Sequence, residues 1–243
     1  MRVLYCTDTY PPQINGVSIV TALSVAGLAR RGWECAVAAP SYPAATHAAW
    51  TPGDDLASDA EVLSLPSVPV PRYPEVRLAV SGGRAVRRLV DRFRPDLIHC
   101  ETEFTVGRMG QRAGAAGGVP LVSSYHTDFG RYAEAYGLPW LRRAVGAYLA
   151  HFHRRSLRVY TPSTAARGDL AGLGVGDVEV WGRGVDTAVF HPGRRSQALR
   201  GELGMASRFT FLYLGRLAPR SGSTSSSRRS ARRARWCRRG SST

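Results

Sequence analysis

The feature that most constrains this chain is the regular exchange of short apolar runs with stretches of helical periodicity from Val3 to Gly215. Val3–Thr7, Glu34–Ala39, Glu61–Leu65, Asp96–Cys100, Pro120–His126, Arg158–Pro162 and Val178–Gly184 read as strands, and Phe209–Gly215 as a further one. Helices are expected at Val17–Arg31, with Val17, Val20, Leu23, Ser24 and Leu28 at helical spacing, and at Leu78–Arg94, Phe104–Gly117 and Trp140–Leu157. Strand, helix, strand repeated this often predicts an α/β fold with a Rossmann-like, doubly wound parallel sheet.

Charge is less informative than it first looks. The formal net charge is +15, but residues 220–243 carry eight arginines and no acid. All 33 basic residues are arginine and none is lysine, which is the mark of a GC-rich coding sequence more than of phosphate recognition. With Trp236 as the lone aromatic of the segment, specific nucleic-acid binding is not expected. Cys6, Cys35, Cys100 and Cys237 form no CxxC pair, and with the six histidines they give no metal-site spacing. No run of 18 uncharged apolar residues occurs, and Met1–Cys6 enters the first strand without a signal-like apolar region, so a cytoplasmic protein is expected.

Four segments carry candidate chemistry. Asp8-Thr9-Tyr10-Pro11-Pro12-Gln13-Ile14-Asn15-Gly16-Val17 joins the first strand to the first helix. Gly16 would let an anion such as a diphosphate approach the helix N-terminus. The bland alternative is an ordinary βα loop, and the missing Gly-x-Gly-x-x-Gly argues against a dinucleotide dehydrogenase. Ser123-Ser124-Tyr125-His126-Thr127-Asp128-Phe129 ends a strand on a histidine at the edge where sheets bind ligands, although Tyr125 and Phe129 could equally pack. Thr161-Pro162-Ser163 is followed by Trp181-Gly182-Arg183-Gly184-Val185-Asp186 and Phe190-His191-Pro192. There the Arg183 guanidinium suits a phosphate contact or an interdomain ion pair, and the plain alternative is a hinge loop held by Asp186. Leu214-Gly215-Arg216-Leu217 leads from a strand into an arginine.

In this order the segments resemble glycosyltransferase family 4 (group 1), whose members share the two-domain GT-B fold, and the resemblance runs from Met1 to Pro219. The Tyr-His-Thr-Asp-Phe and Trp-Gly-Arg-Gly-Val-Asp versions look most like GDP-mannose-dependent α-mannosyltransferases, with UDP-sugar-using relatives such as sulfoquinovosyltransferase second. The resemblance implies an N-terminal, acceptor-side GT-B domain in a retaining transferase that uses a sugar nucleotide, a lipid or glycan acceptor and no metal. By analogy His126 is the catalytic-site histidine beside the transferred sugar. Gly16 and Arg216 would meet the donor diphosphate, and Asn15, Tyr125, Asp128, Arg183 and Asp186 complete the expected site. For a lipid acceptor, the Arg84, Arg88 and Arg92 row could touch an anionic membrane, although a solvated helix face is the plainer reading.

The expected division is residues 1–192 as this domain, 193–219 as linker and first strand of a donor domain, and 220–243 as a disordered Arg/Ser-rich tail. Arg220 and Ser221 stand where the family has Glu-Lys. A frameshift after Pro219 would explain the arginines, the serines and the missing Glu-x7-Glu together, and would leave the chain inactive alone. A non-catalytic fragment whose tail binds polyanions is the competing expectation.

Overall fold

The computed structural model describes residues 1–44, 46, 59–71, 73–126, 139–182, 184, 187, 190–207 and 209–210. Seven strands form one parallel sheet: β1 (Arg2–Cys6), β2 (Glu34–Pro40), β3 (Glu61–Leu65), β6 (Leu97–Cys100), β7 (Leu121–Ser124), β8 (Arg158–Thr161) and β9 (Val178–Val180). Their spatial order is β3-β2-β1-β6-β7-β8-β9. A two-stranded antiparallel hairpin, β4 (Ser67–Val70) with β5 (Tyr73–Ala79), lies outside it. The helices are α1 (Gly16–Ala29), α2 (Arg84–Phe93), α3 (Thr105–Gly117), α4 (Arg142–His153), α5 (Thr164–Gly172) and α6 (Gln197–Glu202).

Strand order reverses between β1 and β6, and the winding puts helices on both sides of the sheet. Alternate residues of each strand face opposite ways. Leu4 and Cys6 join Ala36, Ala38, Ile98 and Cys100 under α2 and α3, with Phe152 of α4 completing the layer. Val3 and Tyr5 join Cys35, Val37 and Ala39 under α1. A third cluster seats Leu149 of α4 and Leu170 of α5 on Val159. The doubly wound expectation is therefore met, and Cys6, Cys35 and Cys100 are buried within strands as expected.

Several boundaries differ from the sequence reading for physical reasons. Leu78 and Ala79 are not helical; they pair with Val68 and Ser67 in the hairpin. Helix α2 starts only after Gly83, whose φ of 78° is a left-handed conformation that glycine adopts without strain. The stretch expected as one long helix from Trp140 begins as a 3-10 turn at Pro139–Leu141 and ends at His153. By Leu157 the backbone amide is already bonding the Leu121 carbonyl at the start of β7. Helix α5 went unforeseen, and Ser163 of the Pro-Ser motif is its cap, accepting from the Ala166 amide at 3.2 Å. Residues 197–202, expected as linker, form the short exposed helix α6. Of the strand expected at Phe209–Gly215 only Phe209 and Thr210 are described, and the rest of it and the tail after Pro219 lie outside the described residues.

The face that α1 buries is also not the one its apolar periodicity suggested. Ser18, Thr21, Ala22, Val25 and Ala26 point inward, while Val17, Val20, Leu23, Ser24 and Leu28 are only partly covered. Small side chains let the helix settle close to the sheet, and Thr21 satisfies its own hydroxyl on the Val17 carbonyl at 2.8 Å. Helix α3 goes further. A Cβ at Gly110 would stand 2.6 Å from Cys6 Sγ, and one at Gly114 2.6 Å from Leu121. Three glycines at i, i+3 and i+7 (Gly107, Gly110, Gly114) thus bring the backbone of α3 onto the strands.

Candidate functional site

The reversal of strand order opens a crevice at the carboxyl ends of β1 and β6, where parallel α/β sheets bind ligands. Two buried carboxylates stand there, Asp8 just beyond β1 and Glu101 just beyond β6. Neither was singled out from the sequence.

Asp8 acts as a clamp. Its Oδ1 accepts from Thr105 Oγ1 at 2.7 Å and from the Val106 amide at 2.9 Å, and its Oδ2 accepts from Thr102 Oγ1 at 2.6 Å. Phe104, at the N-cap position of α3, supplies no capping side chain. Asp8 performs that task from the loop after β1, meeting the Val106 amide and the positive end of the helix dipole.

Glu101 is fully buried and joins two histidines. Its Oε1 lies 2.8 Å from His126 Nε2, and its Oε2 lies 2.9 Å from His99 Nε2 and accepts from Ser124 Oγ at 3.1 Å. Burial alone would oppose ionisation of this carboxyl. The adjacent imidazoles of His99 and His126 outweigh it through charge and hydrogen bonding, holding Glu101 well below the usual carboxylate range. Against an ionised carboxylate, His126 Nε2 carries the proton and donates it, so Glu101 fixes the ring's orientation and tautomer. A second buried pair stands behind it: Ser123 Oγ meets His153 Nδ1 at 2.9 Å, and His153 Nε2 lies 3.4 Å from Glu103 Oε1.

The loop after β1 is locked by a polar chain. Asn15 Oδ1 accepts from the Ser18 amide at 2.9 Å and so caps α1, while its Nδ2 donates to Thr9 Oγ1 at 2.6 Å. Thr9 Oγ1 donates to Gln13 Oε1 at 2.9 Å, and the Tyr42 hydroxyl donates to the same oxygen at 2.7 Å. Gly16 is exposed as the first residue of α1, and no acid occupies the helix's first turn. That end of the helix suits an anion.

Of the residues expected from sequence, Asn15 and Gly16 meet at the N-terminus of α1, and His126 stands on Glu101. Tyr125 is buried in the cluster between α4 and α5, with its ring edge-on to His153 at 5.8 Å. Asp128, Arg183, Asp186 and Arg216 lie outside the described residues. Asp8 stood in the first candidate segment without a role of its own, and the reading missed His99, Glu101 and Glu103. Their signal was acidic residues set immediately after buried apolar strands, at Cys6-Thr7-Asp8 and Ile98-His99-Cys100-Glu101.

With this geometry in hand, comparison with known proteins is decisive for the family. Residues 14–189 match Glycosyltransferase Family 4. The chain belongs to that family. It is 34% identical over 223 residues to a GDP-mannose-dependent alpha-mannosyltransferase of Mycobacterium tuberculosis (strain CDC 1551 / Oshkosh), a match covering 90% of this chain and 57% of the relative. A sulfoquinovosyl transferase of Arabidopsis thaliana is 29% identical over 163 residues, covering 65% of this chain and 32% of that one. The chain thus spans little more than half the length of the mannosyltransferase relatives it matches. Among solved structures, sucrose-phosphate synthase from Thermosynechococcus elongatus superposes with a TM-score of 0.55 at 13% identity, covering 84% of this chain and 52% of that one. A glycosyltransferase from Rickettsia africae ESF-5 gives 0.52 at 12% identity, over 85% of this chain and 50% of its own. These two likenesses concern the fold, and the family 4 chain corresponds to about half of each. No described helix is long and apolar enough to cross a membrane.

Proposed function

We propose that this family 4 chain is the acceptor-side half of a retaining hexosyltransferase that moves mannose from GDP-mannose to a lipid or glycan acceptor at the cytoplasmic side of a membrane. The observation that carries the reading is the Glu101–His126 pair at the crevice between β1 and β6, in a chain similar over 90% of its length to GDP-mannose-dependent transferases.

In this reading the donor diphosphate lies against Gly16 and the free amides of α1, which stabilise the negative charge that grows on the leaving group. Arg216 adds a guanidinium to the same phosphates. His126, held by Glu101, presents its imidazole to the transferred sugar, and Asn15 and Asp8 keep the two flanking loops in place. Asp128, Arg183 and Asp186 complete the acceptor and hinge contacts. Catalysis rests on position and preorganised charge, since a nucleoside diphosphate is already a good leaving group. A UDP-sugar donor is the second reading, favoured by the similarity to the sulfoquinovosyl transferase.

We further propose that the reading frame shifts after Pro219 and that the natural product continues into a donor domain. Sequencing the coding DNA from the Phe209 codon onward should recover Glu-Lys after Pro219 in another frame, and later Glu-x7-Glu. If no frame does, the polyanion-binding fragment becomes the better account of residues 220–243.

The product of the restored frame should transfer mannose from GDP-mannose to a membrane-lipid extract with an α-anomeric product, in preference to UDP-hexoses. Replacing His126 by Ala should lower that rate by about 10²–10³, the usual loss for one preorganised contact at the reacting centre. Unchanged transfer in His126→Ala would remove the histidine from the mechanism.

A further inference from the structure

A groove of about 720 Å³ runs along the outer side of α3, between the turn before α2 and the middle of α4. It is separate from the Glu101 crevice, but Thr105 lines it and also donates to Asp8, so the groove abuts the loop after β1. Arg84, Arg87, Arg108 and Arg112 project along it, and no acidic residue lines it among the described residues. Arg87 has a partner in Asp91 at 3.1 Å on its own helix. Arg108 is placed differently. Its guanidinium lies 5.9 Å from the centre of the Tyr148 ring, yet its Nη1 is buried and has no hydrogen-bond acceptor.

A buried guanidinium nitrogen without an acceptor costs free energy unless something else supplies the oxygen. Tyr148 does not supply it, because it turns its ring face to the guanidinium while its hydroxyl donates to the Glu103 carbonyl. Gly83 adds a second sign: it offers no side chain to cap α2, and the first turn of α2 holds no acid, so that helix's positive end also faces the groove uncompensated. Leu78, Ala79, Met109 and Ala113 add apolar surface to the wall. Exposed Phe104 stands at the mouth.

We propose that this groove binds an oxyanion carried on the acceptor, a phosphate or carboxylate headgroup joined to an apolar body, with Arg108 as its central contact. The inference deepens the transferase reading by giving the acceptor a charge and a seat. It predicts that a neutral acceptor binds poorly. Planar guanidinium forks suit phosphate and carboxylate oxygens, and a partly desolvated site strengthens such bonds.

The test is equilibrium binding to the 243-residue chain without any sugar nucleotide. Inorganic phosphate is one probe, and phosphatidylglycerol vesicles against phosphatidylcholine vesicles are the other. Saturable binding weakened about tenfold by Arg108→Gln, but unchanged by Arg167→Gln on exposed α5, supports the groove. Arg108→Lys should recover part of the loss, and Arg112→Gln serves if Arg108→Gln fails to fold. Binding of phosphatidylglycerol without inorganic phosphate, lost in the same variants, assigns the anion to a lipid headgroup. Equal loss in Arg167→Gln, or no saturable binding of either probe, overturns the proposal. Because no donor is present, a negative result here leaves the transferase reading standing, and failure of transfer leaves a positive result here intact.

Discussion

Gly107→Ala should lower the melting temperature steeply. A Cβ at Gly107 would stand 1.8 Å from the Thr102 carbonyl oxygen and 3.3 Å from the Phe152 ring. The first contact is with backbone, which cannot swing aside as a side-chain tip can. The segment it would displace carries Thr102, whose hydroxyl bonds both the Asp8 carboxylate and the Asp8 amide. Overpacking at such a place costs about 3 kcal/mol, the upper part of the usual range, and lowers Tm by roughly 10 °C for a domain of this size. Differential scanning fluorimetry reads the result directly. Gly117→Ala at the end of the same helix is the control, since its nearest neighbours, Val119 and Val90, stay at an ordinary 3.6 Å. Equal melting temperatures for the two variants would mean that α3 shifts freely over β6, and the close seating described above would be wrong.

Glu101→Ala carries the second large effect. Removing the carboxylate leaves His99 and His126 facing a buried void. Breaking a buried pair in this way costs about 3–5 kcal/mol because the remaining partners stay desolvated. Glu101→Gln keeps the volume and should cost less, yet it loses the charge that fixes the His126 tautomer. Acid titration separates the two contributions. The folded-state pKa of Glu101 is depressed, so its stabilising effect is complete above the unfolded value of about 4.3 and is lost as pH falls toward the folded value. Urea midpoints of the wild type should therefore fall below that pH more steeply than those of Glu101→Gln. Parallel curves would show that the Glu101 charge adds nothing to stability.

The site and the groove ask different things of one surface. In the crevice between β1 and β6, Asp8 and Glu101 each make three polar contacts across elements distant in sequence. Such a site is rigid before any substrate arrives, which suits catalysis by position. The groove beside α3 instead leaves a guanidinium nitrogen without an acceptor. The arginine row expected on α2 also divides on inspection: Arg92 is bonded to Glu61, and Arg84 lines the groove.

How much of this was legible in the sequence follows from which interactions are local. The central strands were readable because a sheet buried on both sides demands unbroken apolar runs, and Val3–Thr7 was found within a residue. Motif order carried the family, since the residues around Gly16, His126 and Gly184 are short, contiguous signals. Helix faces were less legible: α1 packs through Ser18, Thr21 and Ala22, and hydrophobicity has no means of marking a serine as buried. The hairpin was missed because Leu78 and Ala79 suit a helix by themselves and pair as strands only when Val68 and Ser67 arrive opposite.

The sequence by itself determined the doubly wound sheet, the family and the place of His126 at a strand's carboxyl end, since each depends on residues within a few positions of one another. Only the tertiary structure decided that Asp8 caps α3 from 97 residues away and that Glu101 holds His99 and His126 together. Those contacts cross from one strand to another, and a buried charge reveals its partner only when the chain has closed around it.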